Sequence, residues 1–247
     1  MRVSLQHNGT DYAADLQNGI DLSISVRNGD SVNAYYAHPV TMEPYVAGEW
    51  IGSVEQGGPV NYRDVFFSPH GHGTHTECYG HIDEEVHSVN EHFKTFHMVA
   101  QVVSVKPFRL ENGDYVITKE LLERQDIEST EGVILRTLPN DDSKRTRKYS
   151  GHNPPYVEVH AIEFLVSKGC KHLVLDVPSI DREEDGGKLL GHRAFWNFPG
   201  NPRKECTVTE LAYVANTVAD GLYLLNLQVA PFENDAAPSR PLIFPLS

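Results

Sequence analysis

The sequence predicts a layered α/β domain, because strand-like and helix-like hydrophobic patterns follow one another along the chain. Alternating apolar and polar residues at 20–24 and 62–66 predict short strands in the first third. Later, a helical pattern at 154–168 leads into an apolar run at 173–177. A helix followed by a buried strand is typical of a layered α/β domain. We therefore expect mixed α and β content.

Two apolar runs and a capping residue predict the elements between these segments. Residues 98–105 and 132–137 have the apolar composition of strands. Thr118 can cap a short helix that includes Leu121 and Leu122, because its side chain can accept a hydrogen bond from a backbone N–H group of the first turn. A strand, a short helix and a second strand are therefore expected in this order.

The long helix has plausible start and stop residues. Asn153 is a candidate N-cap, proline follows in the first turn, and Gly169 is a candidate stop. The polar, charged stretch at 140–148 is expected to be a solvated surface loop. Two more strands are expected after the apolar run, at residues 207–211 and 221–229.

Length and charge limit the possible functions. A chain of 247 residues with 40% hydrophobic composition can form one large folded unit, so we expect residues 1–247 to be a single domain. The net charge of -13 opposes binding to nucleic acid or to anionic membrane surfaces. No apolar run is long enough to span a bilayer, and the first residues lack a signal-peptide pattern. These features favour a cytoplasmic protein that acts on a small molecule.

Histidines are concentrated in one part of the chain. Seven of the 13 lie within 28 residues, namely His70, His72, His75, His81, His87, His92 and His97. In an extended strand, His75, Glu77 and His81 could project to one side. Imidazole and carboxylate ligands suit zinc, manganese or ferrous iron, and three protein ligands leave positions open for water or substrate. A catalytic metal site is therefore predicted here, with the last three histidines outside it.

The same segment resembles a family motif. Gly73-Thr74-His75-x-Glu77-x-x-x-His81 resembles the H-x-G-T-H-x-D-x-P-x-H motif of the cyclase family of metal-dependent hydrolases, which includes bacterial kynurenine formamidase and isatin hydrolase. Residues 21–23 and 175–181 resemble the family's D-L-S and D-x-P-S-x-D segments. His192 and Glu210 fall where two-metal members supply a further histidine and glutamate. The resemblance covers nearly the whole chain.

This resemblance implies a fold, an activity and a set of site residues. The implied fold is a compact swivelling-type β/β/α domain with a mixed sheet. The implied reaction is arylformamidase-like hydrolysis of N-formyl groups or strained cyclic amides by metal-activated water, with one or two zinc or manganese ions per chain. His75, Glu77, His192 and Glu210 would be metal ligands, and His81 would be the acid–base residue. A homodimer or higher homo-oligomer is also implied.

Three departures from the motif suggest a divergent subgroup. The family's first histidine falls at Gly71, which has no side chain, so either His70 or His72 replaces it or one metal position is weakened. We choose His70, because the glycine after it can let the chain turn its imidazole inward. The family aspartate is Glu77, which is one methylene longer, and the family proline is Tyr79.

Several roles remain open from the residues alone. His81 could itself be a metal ligand rather than an acid–base residue. Phe195 and Trp196, which follow His192, could line an apolar substrate pocket or belong to the core. Glu210 lies in an alternating strand, where it could face an ion or solvent.

Two rival functions are compatible with parts of the sequence. A cupin-type dioxygenase is one, because His70-x-His72 followed by Glu77 resembles the H-x-H-x(3,4)-E pattern of that class. The expected glycine falls at Glu84, however, and the helix at 154–168 suits a cupin β-barrel poorly. A metal-binding or small-molecule-binding protein that keeps the family fold without its chemistry is the other.

Overall fold

A nine-stranded mixed sheet forms the centre of the molecule, and four smaller sheets surround it. The computed structural model describes residues 1–247. The strands are β1 (Arg2–His7), β2 (Thr10–Asp15), β3 (Ile20–Asp21), β4 (Thr41–Pro44), β5 (Val46–Ala47), β6 (Trp50–Ile51), β7 (Arg63–Phe66), β8 (His75–Glu77), β9 (His97–Val105), β10 (Phe108–Arg109), β11 (Tyr115–Ile117), β12 (Gly132–Thr137), β13 (Tyr156–Val157), β14 (His172–Leu175), β15 (Thr207–Glu210), β16 (Gly221–Asn226), β17 (Ala236–Pro238) and β18 (Leu242–Pro245). The helices are α1 (Pro69–His72), α2 (Val89–His92), α3 (Lys119–Glu123), α4 (Val159–Ser167) and α5 (Leu190–Trp196), with 3-10 helices at Tyr79–His81 and Asp142–Arg145.

The large sheet has a parallel centre and antiparallel edges. Its strand order is β17-β8-β15-β14-β12-β9-β16-β18-β3. Strands β9, β12, β14 and β15 are parallel, whereas β8 and β17 on one side and β16, β18 and β3 on the other are antiparallel to their neighbours. Parallel strands are normally covered on both faces, and every residue of β12 and β14 is buried. The mixed sheet predicted for this chain is confirmed.

The two faces of the sheet contribute to different cores because side chains alternate along a strand. Val133 and Leu135 of β12 pack with α3, α4 and α5. Ile134, which lies between them, packs on the opposite face with Leu225 of β16 and Ile243 of β18. Truncation of a buried leucine such as Leu135 to alanine would destabilise the fold by about 2–5 kcal/mol. This packing fixes the positions of the ends of the sheet strands, and polar residues lie at those ends.

Most predicted elements are found, but the long helix begins later than expected. Thr118 caps α3 by accepting a hydrogen bond from Leu121 N. The helix predicted at 154–168 begins only at Val159, because Tyr156–Val157 pairs with β11 as a strand. Its predicted end is correct, since Gly169 follows the C-cap Lys168 with φ +92°.

The stretch at 140–148 is not the fully solvated loop that its polarity predicts. Lys144 is buried, and its Nζ lies 2.7 Å from Asp176 Oδ2 and 2.8 Å from Thr137 Oγ1. The backbone N–H of Thr137 also donates to the Asp176 carboxylate, at 2.9 Å. A buried carboxylate is stable only when it is paired in this way, so these contacts connect the ends of β12 and β14.

A segment of short antiparallel strands lies apart from both cores. This segment, called the ribbon, comprises residues 41–66 and contains β4 paired with β7 and β5 paired with β6. All four residues of β7 are exposed. Tyr45, Trp50 and Tyr62 contact one another with ring centroids 5.3–6.1 Å apart, yet each remains 38–55% exposed. A two-stranded ribbon is marginally stable alone. The exposed aromatic side chains of this ribbon form an apolar surface of the kind that suits contact with another molecule.

The architecture also bears on the rival functions. The large sheet is open, with a parallel centre flanked by helices, and a cupin barrel is a closed antiparallel structure. The cupin-type interpretation is therefore wrong. No helix of the structure combines the length and the apolar character required to cross a membrane.

Candidate metal centre

Strand β8 places the two central residues of the histidine-rich segment. His75 and Glu77 point to the same side of the sheet, and both are fully buried. Pairing with β15 puts His75 directly opposite Glu210, with His75 Nε2 3.5 Å from Glu210 Oε2. Thr74 holds the start of the strand, because its hydroxyl accepts from Ile24 N and donates to the carbonyl of Leu211.

His70 and His81 approach Glu77 from elements on either side of β8. His70 lies in α1, with Nδ1 3.2 Å from Glu77 Oε2. His81 Nδ1 lies 3.8 Å from the same oxygen. The prediction that His81 belongs to an extended strand is wrong, since it ends a 3-10 helix that reverses the chain after β8. His72 lies away from the cluster, where its Nδ1 accepts from Ser68 N.

His192 completes the set of imidazoles around Glu77. Its Nε2 lies 3.0 Å from Glu77 Oε1, and its Nδ1 lies 2.6 Å from Asp181 Oδ2. Asp181 also accepts from the backbone N–H groups of Gly191 and His192, which start α5, so one carboxylate fixes both the helix and the ring. Phe195 and Trp196 are fully buried in the core, and Trp196 stacks on His192.

Asp235 belongs to the cluster, although no sequence signal indicated it. Its Oδ2 lies 2.9 Å from His70 Nε2 and 3.0 Å from His81 Nδ1. It directly precedes β17, the outer neighbour of β8 in the sheet. Asp181 is the second residue without a predicted role, although it ends the segment 175–181 that matched the family pattern.

Carboxylates and imidazoles in this cluster shift one another's proton affinities. Burial alone would lower the pKa of His70, but its hydrogen bond to Asp235 and the nearby carboxylate of Glu77 raise it to about 10. Burial likewise opposes the charge on Glu77, but the electrostatic effect of His81, the hydrogen bond from His192 and the nearby imidazole of His70 keep the pKa of Glu77 well below its usual value. The cluster therefore favours a positive charge next to Glu77.

Two buried atoms test whether a metal ion suits this donor set. His75 Nδ1 donates to the carbonyl of Gly73 at 3.0 Å, so the Nε2 atom faces inward, and it has no hydrogen-bond partner. Glu77 Oε2 is also buried, and although His70 Nδ1 lies 3.2 Å away, this oxygen accepts no hydrogen bond. Buried polar atoms are nearly always paired, and two inward-facing metal-ligand atoms without partners suit a cation. The residues present therefore fit a divalent metal.

The donor atoms form three overlapping sets, with the donor atoms of each set within 4.8 Å of one another. The sets are His70 with His75 and Glu77, Glu77 with His81 and His192, and His70 with His81 and Asp235. Glu77 belongs to the first two sets. Glu210 contributes one oxygen towards His75 and uses the other to accept from Ile180 N at 2.9 Å.

A cavity of about 250 Å³ opens onto the cluster. His81 is 28% exposed towards it, whereas Glu77 is not exposed at all. Tyr35 and Leu189 are the apolar residues of its wall. Its remaining lining residues are His70, Ser179, Asp181, Arg182, Glu183, Asp185, His192 and Glu210.

Comparisons with known proteins identify similar sequences and folds. A family model described as "Putative cyclase" matches residues 20–182. Kynurenine formamidase from Bacillus thuringiensis (strain Al Hakam) is 29% identical over 197 residues, which cover 78% of this chain and 85% of that protein. Kynurenine formamidase from Bacillus anthracis is 29% identical over 201 residues, covering 80% and 87% respectively.

Solved structures with a similar fold cover almost all of the chain. An isatin hydrolase bound to the product analogue thioisatinate has a TM-score of 0.65 at 15% identity, over 93% of this chain and 92% of that one. A predicted metal-dependent hydrolase from Bacillus stearothermophilus has a TM-score of 0.60 at 17% identity, over 92% and 97%. At these identities the likeness extends to the fold alone.

Proposed function

The chain belongs to the cyclase family, and on that premise we propose that it is a metal-dependent hydrolase that cleaves an amide-type C–N bond in a small molecule. The substrate class is an N-formyl aryl amine or a cyclic amide. The observation that carries the proposal is Glu77, a buried carboxylate with one unpartnered oxygen and three imidazoles within 4 Å. The kynurenine formamidases that this chain resembles support the reaction type.

The metal would be held by His70, His75, Glu77, His192 and Glu210, with zinc or manganese as the proposed ion and one or two ions per chain. When bound, such an ion supplies Lewis acidity, which lowers the pKa of water from about 15.7 to near 7 and polarises a carbonyl group. His70 takes the place of the family histidine that falls at Gly71. Asp181 and Asp235 then position the rings of His192 and His70 by binding their other nitrogens.

His81 is the proposed acid–base residue. Its ring is partly exposed at the cavity wall, where it can reach a substrate, while His70 and His192 lie closer to Glu77. Imidazole both accepts and donates protons near neutral pH, which suits proton transfer from water to a departing nitrogen. The hydrogen bond to Asp235 fixes the orientation of the ring. His81 as a metal ligand is the alternative role.

The cavity dimensions agree with a small planar substrate. A cavity of 150 Å³ is large enough for benzene, so about 250 Å³ accommodates one substituted aromatic ring. Tyr35 and Leu189 provide apolar contacts for such a ring. Tyr35 is oriented by its own hydroxyl, which donates to the carbonyl of Pro178 at 3.2 Å.

We also propose that a second copy of this chain packs on the ribbon. The aromatic residues Tyr45, Trp50, Tyr62 and Phe66 together expose roughly 400 Å², at about 200 Å² per fully exposed side chain. That is about half of the roughly 800 Å² that each partner buries in a standard interface, and four exposed valines of the ribbon add to it.

The function is tested by metal content and turnover together. Protein purified without chelator is analysed for metal per chain, alongside His75→Ala, His192→Ala and Glu210→Ala. We expect one or two divalent ions in the wild type, fewer in each variant, and formate release from N-formyl aryl amines by the wild type only. Metal-loaded wild type that hydrolyses neither N-formyl aryl amines nor cyclic amides would reject the proposal in favour of a non-catalytic binding protein.

A further inference from the structure

A second pair of histidines lies outside the candidate metal centre. His87 and His92 face each other, with His87 Nδ1 3.4 Å from His92 Nε2. Their side chains are only 17% and 13% exposed. The carboxylate of Glu91 lies 3.7 Å from the same nitrogen of His92, and donor atoms of all three residues lie within 4.8 Å of one another.

The separation of the two ring nitrogens fits a shared ion better than a direct hydrogen bond. An N–H···N hydrogen bond is usually about 2.7–3.2 Å long, so 3.4 Å is long for one. Two imidazole nitrogens that bind one tetrahedral zinc ion at about 2.0–2.1 Å are about 3.4 Å apart. The rings of His87 and His92 therefore already have the spacing of two zinc ligands.

The other nitrogen of His87 has the surroundings of a metal-bound histidine. His87 Nε2 lies 3.5 Å from Asp83 Oδ2 and 3.6 Å from Glu85 Oε2. Histidines that bind metals usually have a carboxylate at their second nitrogen, and here the two carboxylates attract the ring electrostatically at distances longer than a hydrogen bond. With Glu91, three carboxylates surround the pair and attract a cation. Lys94 and Lys204, whose charges also act on His92, offset part of this attraction.

We propose that His87, His92 and Glu91 form a zinc site separate from the catalytic centre, with the hydroxyl of Tyr79, 3.3 Å from His92 Nε2, beside it. Two histidines and one glutamate are a familiar zinc donor set, and water fills the remaining position. A position open to water is typical of catalytic zinc sites, but we assign this site a structural role, because its donors lie in one short segment that packs against the elements carrying His81 and Asp235.

Two contacts connect the proposed site to the catalytic centre. The backbone of His87 packs against Gly80, where an added Cβ would overlap the carbonyl of His87, and Gly80 directly precedes His81. On the other side, Val89 N donates to the carbonyl of Asn234 at 2.9 Å, and Asn234 directly precedes Asp235. An ion at His87 and His92 would therefore restrict motion of the segments that hold both catalytic-centre residues.

Zinc stoichiometry in two backgrounds tests this proposal. Equilibrium dialysis against buffered free zinc, followed by elemental analysis, is applied to the wild type and to His87→Gln/His92→Gln. The same pair is compared in a His75→Ala/His192→Ala background, so the result does not depend on the catalytic centre. We expect one zinc per chain fewer in the His87/His92 variant in both backgrounds, and an unchanged zinc count in the control His160→Gln, an exposed histidine paired only with Glu163. Equal zinc counts in wild type and variant overturn the proposal.

Milder substitutions keep the test decisive if the double variant does not fold. Asp83→Asn removes the carboxylate behind His87 and is expected to weaken zinc binding at this site about 10–100-fold. Glu91→Gln removes one ligand and is expected to abolish the zinc-dependent rise in melting temperature that the site produces. Zinc titrations and melting temperatures identical to wild type in both variants overturn the proposal.

Discussion

Asp235 and His81 are separated by 154 residues in the chain, yet Asp235 Oδ2 lies 3.0 Å from His81 Nδ1. The same oxygen binds His70, so one carboxylate orients a proposed metal ligand and the proposed acid–base residue. We expect Asp235→Asn to lower kcat about 10–100-fold, the usual effect of removing a group that orients a site histidine. Steady-state kinetics measure it, with the exposed Asp30→Asn as the control. A kcat equal to that of the control would contradict the role assigned to Asp235.

His81→Ala separates the two roles that remain open for this residue. As an acid–base group, its loss should reduce kcat by about 10²–10⁴ while the metal content stays at the wild-type level. Elemental analysis and kinetics on the same preparation check this outcome. Loss of an ion in this variant would instead identify His81 as a ligand.

The surroundings of Gly71 support the proposal that His70 replaces the family histidine. A Cβ at position 71 would lie 2.7 Å from the Cβ of Ala37 and 3.1 Å from the carbonyl of Ala34, so no larger side chain fits without rearrangement. We expect Gly71→Ala to reduce the free energy of unfolding by about 1–3 kcal/mol, and Ala37→Gly to recover part of that loss in the double variant. Urea unfolding measures both. Additive effects of the two substitutions would show that the contact is not the cause.

His172 makes the stability of the protein sensitive to acid. Burial lowers the pKa of His172 to about 4, below the value near 6.5 expected in the unfolded chain. The unfolded state therefore binds more protons between these values, and stability that is fully present above pH 6.5 is lost as the pH falls towards 4. We expect a loss of about 2 kcal/mol between pH 7 and pH 5 from this residue.

The variant His172→Gln isolates that contribution. Because glutamine does not titrate, its free energy of unfolding should change less over the same pH range than that of the wild type. Urea unfolding of both proteins at pH 7 and pH 5 gives the difference. Parallel pH dependences would mean that His172 is protonated equally well in the folded protein.

The ribbon is expected to hold two copies of the chain together. Trp50→Glu/Tyr62→Glu places charges in the exposed aromatic cluster, and it should shift the protein from dimer to monomer. Sedimentation velocity distinguishes the two states. Val86→Glu, at a residue that is 90% exposed outside the ribbon, is the control and should leave the dimer intact. A wild-type protein that sediments as a monomer at micromolar concentration would rule out this interface.

Local patterns predict the sheet strands well because their signal is contained in a few adjacent residues. Strand β12 has the predicted bounds, 132–137, and α3 is capped by Thr118 as predicted. The predicted start of α4 is wrong because Tyr156–Val157 pairs with β11, a contact 40 residues away that no local pattern encodes. The expectation that Lys144 is solvated is wrong for the same reason, since its partner Asp176 comes from another strand end.

The candidate site was also only partly accessible from the sequence. His70, His75, Glu77 and His81 are close together in the chain, so spacing and the family motif could indicate them. His192 and Glu210 followed from the resemblance. Asp235 could not be predicted, because a lone aspartate next to Asn234 matches no pattern and joins the cluster only through the pairing of β17 with β8.

The sheet order also determines when the proposed metal centre can form during synthesis. Strand β8 is translated early, but Thr76 of β8 pairs with Thr209 of β15, 133 residues further along, and β17 follows later still. Until both neighbours have left the ribosome, His75 and Glu77 belong to an unpaired strand with free edges. We therefore expect ribosome-bound chains that stop before residue 235 not to retain metal at the proposed centre.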